Sequence, residues 1–316
     1  MPHETFEQFM QRCLHDPQQG YYAKNIRTIG PRGDFTTAPQ LSTAPAKAIA
    51  SWAARSLRLH RTRHLIEIGP GLGTLSQQVI QHLPLTLRLT TKLHLVESSA
   101  ILRNHQKHTL GKRASYHPEI DQALEACEGN AVIFSNELVD AFPVRWFQQS
   151  TDGWMEIALD HSEQPPREIL IPPTSLPESS IFQRDFPPSQ RVEVHASYHQ
   201  WLKSWLPLWR RGEMLTIDYG NTAEALYHRQ PAGSLRGYLL QQRLEGLAIY
   251  QHPGLQDLTA DVNFTDLIDW AKPWLHHQKP ENFADFIRPF CNDQDARILA
   301  ASEYFMALRQ SPKRLS

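Results

Sequence analysis

The chain has 316 residues, 41% of them apolar, and a formal net charge of −1. That length exceeds what one core usually fills, so one large domain with insertions, or two lobes, is expected. The balanced charge argues against a general nucleic-acid binder, and no apolar run approaches membrane-spanning length.

The opening Met1-Pro2-His3-Glu4 lacks the basic segment and apolar core of an export signal. Cys13, Cys127 and Cys291 form no C-x-x-C pair, which argues against a zinc site or a disulfide framework. Together these features point to a cytoplasmic protein. Phe6, Phe9, Met10, Cys13 and Leu14 recur at helical spacing and predict a helix over 4–15, ended by Asp16-Pro17 and Gly20. A Gly/Pro/Thr-rich stretch, Gly30 to Pro39, is too long for a simple connection. Within it, Asp34 and Thr36 are candidate polar contacts of a lid over a ligand; an Asx-type turn capping the next helix is an equal alternative. The Ala-rich segment 44–59 predicts a second helix.

His64-Leu65-Ile66-Glu67-Ile68 is a short apolar run that opens into Gly69-Pro70-Gly71-Leu72-Gly73. A helical pattern follows, at Leu75, Val79, Ile80 and Leu83. Strand, tight turn and helix in this order place a nucleotide site in a doubly wound α/β sheet. The glycine spacing discriminates between ligands. G-x-G-x-G differs from the dinucleotide fingerprint G-x-G-x-x-G, and position 74 is Thr. Glu67 inside the strand end suits a ligand with a cationic portion and no pyrophosphate, which is the chemistry of S-adenosylmethionine. The segment 92–98 predicts the next strand, ending in the acid Glu97, where a carboxylate can accept hydrogen bonds from both ribose hydroxyls. A helix over 99–107 is expected next.

Ala131–Glu137 reads as a buried strand, followed by Leu138-Val139-Asp140-Ala141-Phe142-Pro143. Asn136 falls at the same sheet edge as the candidate cofactor residues. Glu137 and Asp140, three apart on a strand-to-helix turn, are candidate carboxylates for gripping an arginine guanidinium through paired bonds and helping a proton depart. A helix cap at Asp140 and an ion pair at Glu137 are the ordinary alternative. Seven prolines between 165 and 188 exclude a long helix or central strand, so 151–190 is expected to be an insertion of short edge strands and extended loops. A helix near 194–208 leads to the strand Met214–Asp218. Helices over 264–272 and 293–309 complete the chain. Arg236, Tyr238, Asp257 and Asp261 are weaker candidates for rim contacts. His60/His64 and His195/His199 have i,i+4 spacing, yet neither pair has the H-E-x-x-H glutamate or a third ligand, so no metal is expected. Trp201, Trp205 and Trp209 share one helical face and read as core.

The segments Asp16-Pro17-x-x-Gly20-Tyr21-Tyr22, Gly33-Asp34-Phe35-x-Thr37-Ala38-Pro39, Glu67-Ile68-Gly69-Pro70-Gly71-x-Gly73-Thr74-Leu75, Asn136-Glu137-x-x-Asp140-Ala141-x-Pro143, Ile217-Asp218-Tyr219-Gly220 and Asp257-Leu258-Thr259-Ala260 occur in that order. This combination resembles the MidA-like family of class I S-adenosylmethionine-dependent methyltransferases. The resemblance implies a seven-stranded Rossmann-like sheet with an N-terminal helical segment and an inserted substrate-binding region. Mapped onto this chain, it implies N-terminal helices and a lid loop in 1–60, the first part of the core in 61–150, the Pro-rich insertion in 151–190, and the rest of the core with a C-terminal substrate region in 191–316. It also implies methyl transfer to an arginine of a partner protein, in mitochondrial relatives a complex I subunit. Glu67, Gly69, Pro70, Gly71, Gly73, Glu97, Ser98, Asn136, Asp34 and Thr36 are then the cofactor residues, and Glu137 with Asp140 the catalytic ones. The chain departs from the family at Pro39-Gln40-Leu41-Ser42 and Ala44-Pro45-Ala46, where Pro-Glu-x-Ser and Phe-Gly-Glu are usual, so two acids are missing. A nucleic-acid methyltransferase would carry Asn-Leu-Pro-Tyr where this chain has Asn136-Glu137-Leu138-Val139, and no nucleic-acid partner is expected. A non-catalytic assembly factor that binds S-adenosylmethionine is a further alternative.

Overall fold

Seven strands carry the largest of three sheets in the computed structural model, which describes residues 3–24, 42–228, 230–240 and 242–313. They are β1 (His64–Ile68), β2 (Lys92–Val96), β3 (Ala114–His117), β4 (Val132–Asn136), β5 (Met214–Asn221), β6 (Leu275–His277) and β7 (Phe305–Pro312). Their order across the sheet is β6-β7-β5-β4-β1-β2-β3, with two short strands off this path, Val262–Asn263 beside β5 and Glu281–Asn282 beside β7. Neighbours from β3 to β5 are parallel, whereas β7 runs antiparallel to both β5 and β6. The α/β fold class expected from the sequence is therefore observed.

The chain divides into two units, each built from three separate stretches. One comprises Thr36–Leu138, Leu202–Tyr219 and Ala271–Ser316 and holds the seven strands up to Tyr219. The central strands β1 and β4 are buried along almost their whole length, Glu67 and Ser135 included, as befits strands covered on both faces. Helix α1 (Ala44–Leu59) takes Pro45 into its first turn, where the missing N–H costs nothing. Its Ile49, Trp52, Ala53 and Leu57 pack with Leu75, Val79 and Ile80 of α2 (Thr74–His82) over Leu65, Leu95, Phe134 and Leu215 of the sheet. Helix α3 (Ala100–Leu110) follows β2. From β1 the chain winds outward to β2 and β3, then returns to β4 on the other side of β1. This reversal opens a crevice at the carboxyl ends of β1 and β4, the place where open α/β sheets bind ligands.

The other unit comprises Met1–Phe35, Val139–Trp201 and Gly220–Trp270. The helix Phe6–His15 starts with a capping box, Thr5 and Gln8 exchanging side-chain and backbone bonds, and buries Phe6, Phe9, Met10, Cys13 and Leu14 as its periodicity predicts. An antiparallel sheet runs Glu4–Thr5, Gly153–Asp160, Arg145–Ser150, Arg191–Val194, with Arg167–Ile171 also pairing to Gly153–Asp160. Gly153–Asp160 is thus an interior strand of eight residues, longer than the edge strands expected in that region. A three-stranded sheet orders Gln242–Leu244, Arg236–Leu239, Asp257–Thr259. The terminal helix expected over 293–309 is shorter: Ala296–Ser302 is helical, and Phe305–Pro312 is β7. Ion-paired Arg309 and the 3-residue spacing of Phe305 and Leu308 imitate a helix face, while pairing with β5 makes the segment a strand.

Candidate cofactor and acceptor site

The turn after β1 is built on left-handed backbone. Gly69, Gly71 and Gly73 have φ of 67°, 53° and 79°. A Cβ at Gly69 would lie 2.7 Å from Leu138 Cδ1 and force that side chain to move, and the left-handed backbone itself favours glycine here. The Gly69 N–H donates to the Val96 carbonyl at 3.0 Å, and the Gly73 N–H donates to the carbonyl of buried Pro70 at 2.8 Å. Gln106 Nε2 on α3 donates to the Gly71 carbonyl at 2.7 Å. Gly73 caps α2 with no side-chain hydrogen bond, leaving first-turn N–H groups at the carboxyl edge of the sheet.

Two acids frame this turn. Glu67, 2% exposed, stands between Leu95 and Phe134 in register and accepts a hydrogen bond from the Ser76 hydroxyl. Burial pushes its carboxyl up to about 7, against the lowering pull of Ser76. Glu97 ends β2; its N–H donates to the His117 carbonyl at 3.0 Å, and its Oε1 accepts from the Ser99 N–H at 2.8 Å. Burial again dominates and pushes Glu97 up to about 7, opposed by the Ser99 N–H and Arg103. Arg103 Nη1 donates to the Glu97 and Ser98 carbonyls at 2.5 and 2.7 Å, which fixes this turn while Ser98 itself is exposed.

At the end of β4, Asn136 Nδ2 donates to Glu137 Oε1 at 2.9 Å. Glu137 has φ 54°, a left-handed conformation that costs a non-glycine residue, and its N–H donates to the Ile217 carbonyl at 3.0 Å. Asp218, fully buried within β5, receives the Leu138 N–H at 3.1 Å and the Tyr219 N–H at 2.9 Å. It therefore anchors the backbone just past Glu137. The sequence places Asp218 at a strand end but gives no signal of this anchoring role. Asp34 and Thr36 lie outside the described residues.

In the other unit, Asp140 is buried and its carbonyl accepts from the Ala260 N–H at 3.1 Å. Burial raises its carboxyl, Arg236 lowers it, and Asp261 raises it again. Arg236 donates from Nη1 to Asp261 Oδ1 at 2.5 Å and to the Ser234 carbonyl at 3.0 Å, and from Nε to the Tyr238 hydroxyl at 3.0 Å. Buried Glu193 accepts from the Ser234 N–H and hydroxyl and from the Tyr227 hydroxyl, each at 3.0 Å, so it fixes the loop that carries Arg236. The Tyr22 hydroxyl donates to Asp257 Oδ1 at 2.9 Å, and the charges of Asp257 and Asp140 add to the burial that raises it. His15 shares a hydrogen bond with the Ala141 carbonyl at 3.3 Å and has its ring 5.4 Å from that of Tyr22. The structure thus joins Asp140 to the rim candidates Arg236, Asp257 and Asp261, and adds Tyr22 and His15. Only turn chemistry marked the rim residues in the sequence, and nothing marked His15.

The profile of a protein family described as "Putative S-adenosyl-L-methionine-dependent methyltransferase" matches residues 48–279. The chain belongs to this family. The cofactor of the methyltransferase is accordingly S-adenosyl-L-methionine, and the resemblance drawn from its motifs holds. Among similar proteins, the "Protein arginine methyltransferase NDUFAF7 homolog, mitochondrial" of Caenorhabditis elegans is 26% identical over 90% of this chain and 72% of its own length. The Xenopus tropicalis "Protein arginine methyltransferase NDUFAF7, mitochondrial" is 29% identical over 82% of this chain and 65% of its own length. A crystal structure from Burkholderia thailandensis, bound to S-adenosyl-homocysteine, superposes with a TM-score of 0.80 at 23% identity, covering 98% of this chain and 88% of that one, and shows a shared fold. The cytoplasmic placement is overturned by these relatives, both named as mitochondrial. No helix among the described residues of the methyltransferase is long and apolar enough to cross a membrane.

Proposed function

We propose that the methyltransferase acts on an arginine side chain of a partner protein. The observation that carries this reading is the gathering of Asp140, Asp257 and Asp261 about Arg236 and Tyr22 among the described residues, a carboxylate-rich setting for a basic group. A guest guanidinium, always protonated in water and rich in donors, is the kind of group that carboxylates hold through paired bonds. The relatives named as protein arginine methyltransferases support the same substrate class.

The glycine turn fits an adenosyl ligand, because its left-handed residues bring bare backbone to the sheet edge and side chains there would close the space. Gly69, Pro70, Gly71 and Gly73 would shape the cradle, with Glu67 toward the amino-acid portion. Glu97 would hold the ribose hydroxyls, with Ser98 and Asn136 beside the ligand; Asp34 and Thr36 would complete the site. When bound, S-adenosyl-L-methionine supplies an electrophilic methyl group on a sulfonium. Glu137 and Asp140 would orient the acceptor guanidinium so that one nitrogen presents its lone pair. A buried carboxyl whose proton affinity is raised is suited to take the proton that nitrogen loses. In-line alignment is the larger contribution such a site makes.

The test is incubation of the full chain with methyl-labelled S-adenosyl-L-methionine and native lysate, followed by acid hydrolysis. Label recovered as methylated arginine in a protein band supports the reading. Label in RNA, or in another amino acid, ends it.

A further inference from the structure

The described candidate cofactor residues occupy the carboxyl edge of the large sheet. At its amino edge, about 15 Å away along five-residue strands, lies an open-mouthed cavity of about 450 Å³. Arg61, Arg63, Lys92 and Arg211 all line it, together with His64 and a single acid, Glu128. Four arginine and lysine side chains around one hollow is a strong local concentration in a chain of net charge −1. All four are exposed, and none forms an ion pair among the described residues.

The backbone beneath them is stitched together. The Lys92 N–H donates to the Arg63 carbonyl at 2.7 Å, and the Thr62 hydroxyl donates to the Asn130 carbonyl at 2.7 Å. The Ala131 N–H donates to the Arg211 carbonyl at 3.0 Å, and the Arg211 N–H donates to the Gly129 carbonyl at 3.1 Å. Segments remote in sequence are therefore fixed against each other, and the cations converge because the floor is rigid. Arg61 has φ 50° just past the end of α1, where glycine is the usual residue. An arginine kept in that conformation gives a motive for its side chain. After burial, the charges of Lys92 and Arg63 are what hold the His64 imidazole below its ordinary range, so both cations lie within electrostatic reach of it.

We propose that this amino-edge cavity binds an anionic ligand carrying two or more phosphate groups. Its volume is that of a small-molecule site, and arginine forks with a lysine are the donors that phosphate oxygens select. One phosphate would leave part of the cation set uncompensated, while a chain of phosphates matches it. Within this unit, the described methyl-transfer candidates stand at the opposite edge of the sheet.

Titration calorimetry of the full chain with tripolyphosphate and with ATP, at low ionic strength, tests this. Saturable one-to-one binding of tripolyphosphate is expected, weakened roughly tenfold or more by the combined change Arg63→Glu and Lys92→Glu. The same variant keeps its affinity for S-adenosyl-homocysteine, which separates loss of the site from loss of the fold. Should charge reversal unfold the chain, Arg61→Gln with Arg211→Gln gives the same readout. Tighter binding of ATP than of tripolyphosphate identifies a nucleotide as the source, and equal affinity identifies the phosphate chain alone. Absence of saturable heat, affinity unchanged in the variants, or displacement of tripolyphosphate by a tighter-binding RNA oligomer overturns the proposal.

Discussion

Gln106 donates from Nε2 to the carbonyl of Gly71 at 2.7 Å, tying the helix after β2 to the middle of the turn after β1. Gln106 is fully buried, and its Cγ would be 3.5 Å from a Cβ built at Gly73. The two strand ends that would grip the cofactor are thereby held to one spacing. Gln106→Leu keeps the volume and deletes the donor, while its Oε1 has no hydrogen-bond partner to lose among the described residues. The expected effect is weaker S-adenosyl-homocysteine binding by about 1–2 kcal/mol, roughly tenfold. Calorimetry that returns the wild-type affinity would show the turn to be self-supporting.

Glu97 and Glu67 both titrate near 7 in the folded chain, against 4.5 unperturbed. Between those values the native state holds more protons than the unfolded chain, so the free protein loses stability as pH rises across that window. Ribose hydroxyls donate to an ionised carboxylate, so ligand binding draws Glu97 toward its charged form. Affinity for S-adenosyl-homocysteine should therefore climb from pH 6 to 8 with net proton release, read from binding heats in buffers of different ionisation enthalpy. Glu97→Ala should abolish binding. A flat pH profile would remove Glu97 from the ligand.

For Asp140, the expected separation is between binding and turnover. Asp140→Asn keeps the shape and removes the base. Methyl transfer to arginine should fall by about a hundredfold or more, with S-adenosyl-homocysteine affinity unchanged. A parallel loss of both would assign Asp140 to the scaffold.

Three imidazoles form a row across β1, β2 and β3. His64 Nδ1 and His94 Nε2 are 2.9 Å apart, and His94 Nδ1 and His117 Nε2 are 3.1 Å apart. Burial, then the neighbouring His117 and His64 and the charge of Lys92, push His94 down to about 4 from 6.5. A depressed histidine contributes stability above 6.5 that is lost as pH falls toward 4. His94→Gln should flatten that acid-side loss in denaturant titrations run at a series of pH values. An equal slope in both proteins would place the acid sensitivity elsewhere.

What could be read from the chain alone follows how local each signal is. The β1–turn–α2 segment and the Glu97 end of β2 each declare themselves within about ten residues, because burial on both faces favours a short run of mostly apolar residues. Edge strand β3, Ala-Ser-Tyr-His, is partly exposed and has no such run, so its pairing with β2 is invisible in sequence. In β7, buried Phe305, Ala307 and Leu308 fit a helix nearly as well as a strand; the deciding partner, β5, lies far upstream. The same remoteness hid the surroundings of Asp140, since Arg236, Asp257 and Asp261 resemble ordinary turn residues until the three-stranded sheet assembles them. The histidine row and the amino-edge cations depend on parallel register, which no single stretch encodes.

Each unit is threaded from three stretches that alternate along the polypeptide. Neither can have been appended as a ready-made cassette at one terminus. Exchanging acceptor preference between relatives would require three grafts made together, because any one alone would strand residues such as Asp140 without the partners supplied by the others.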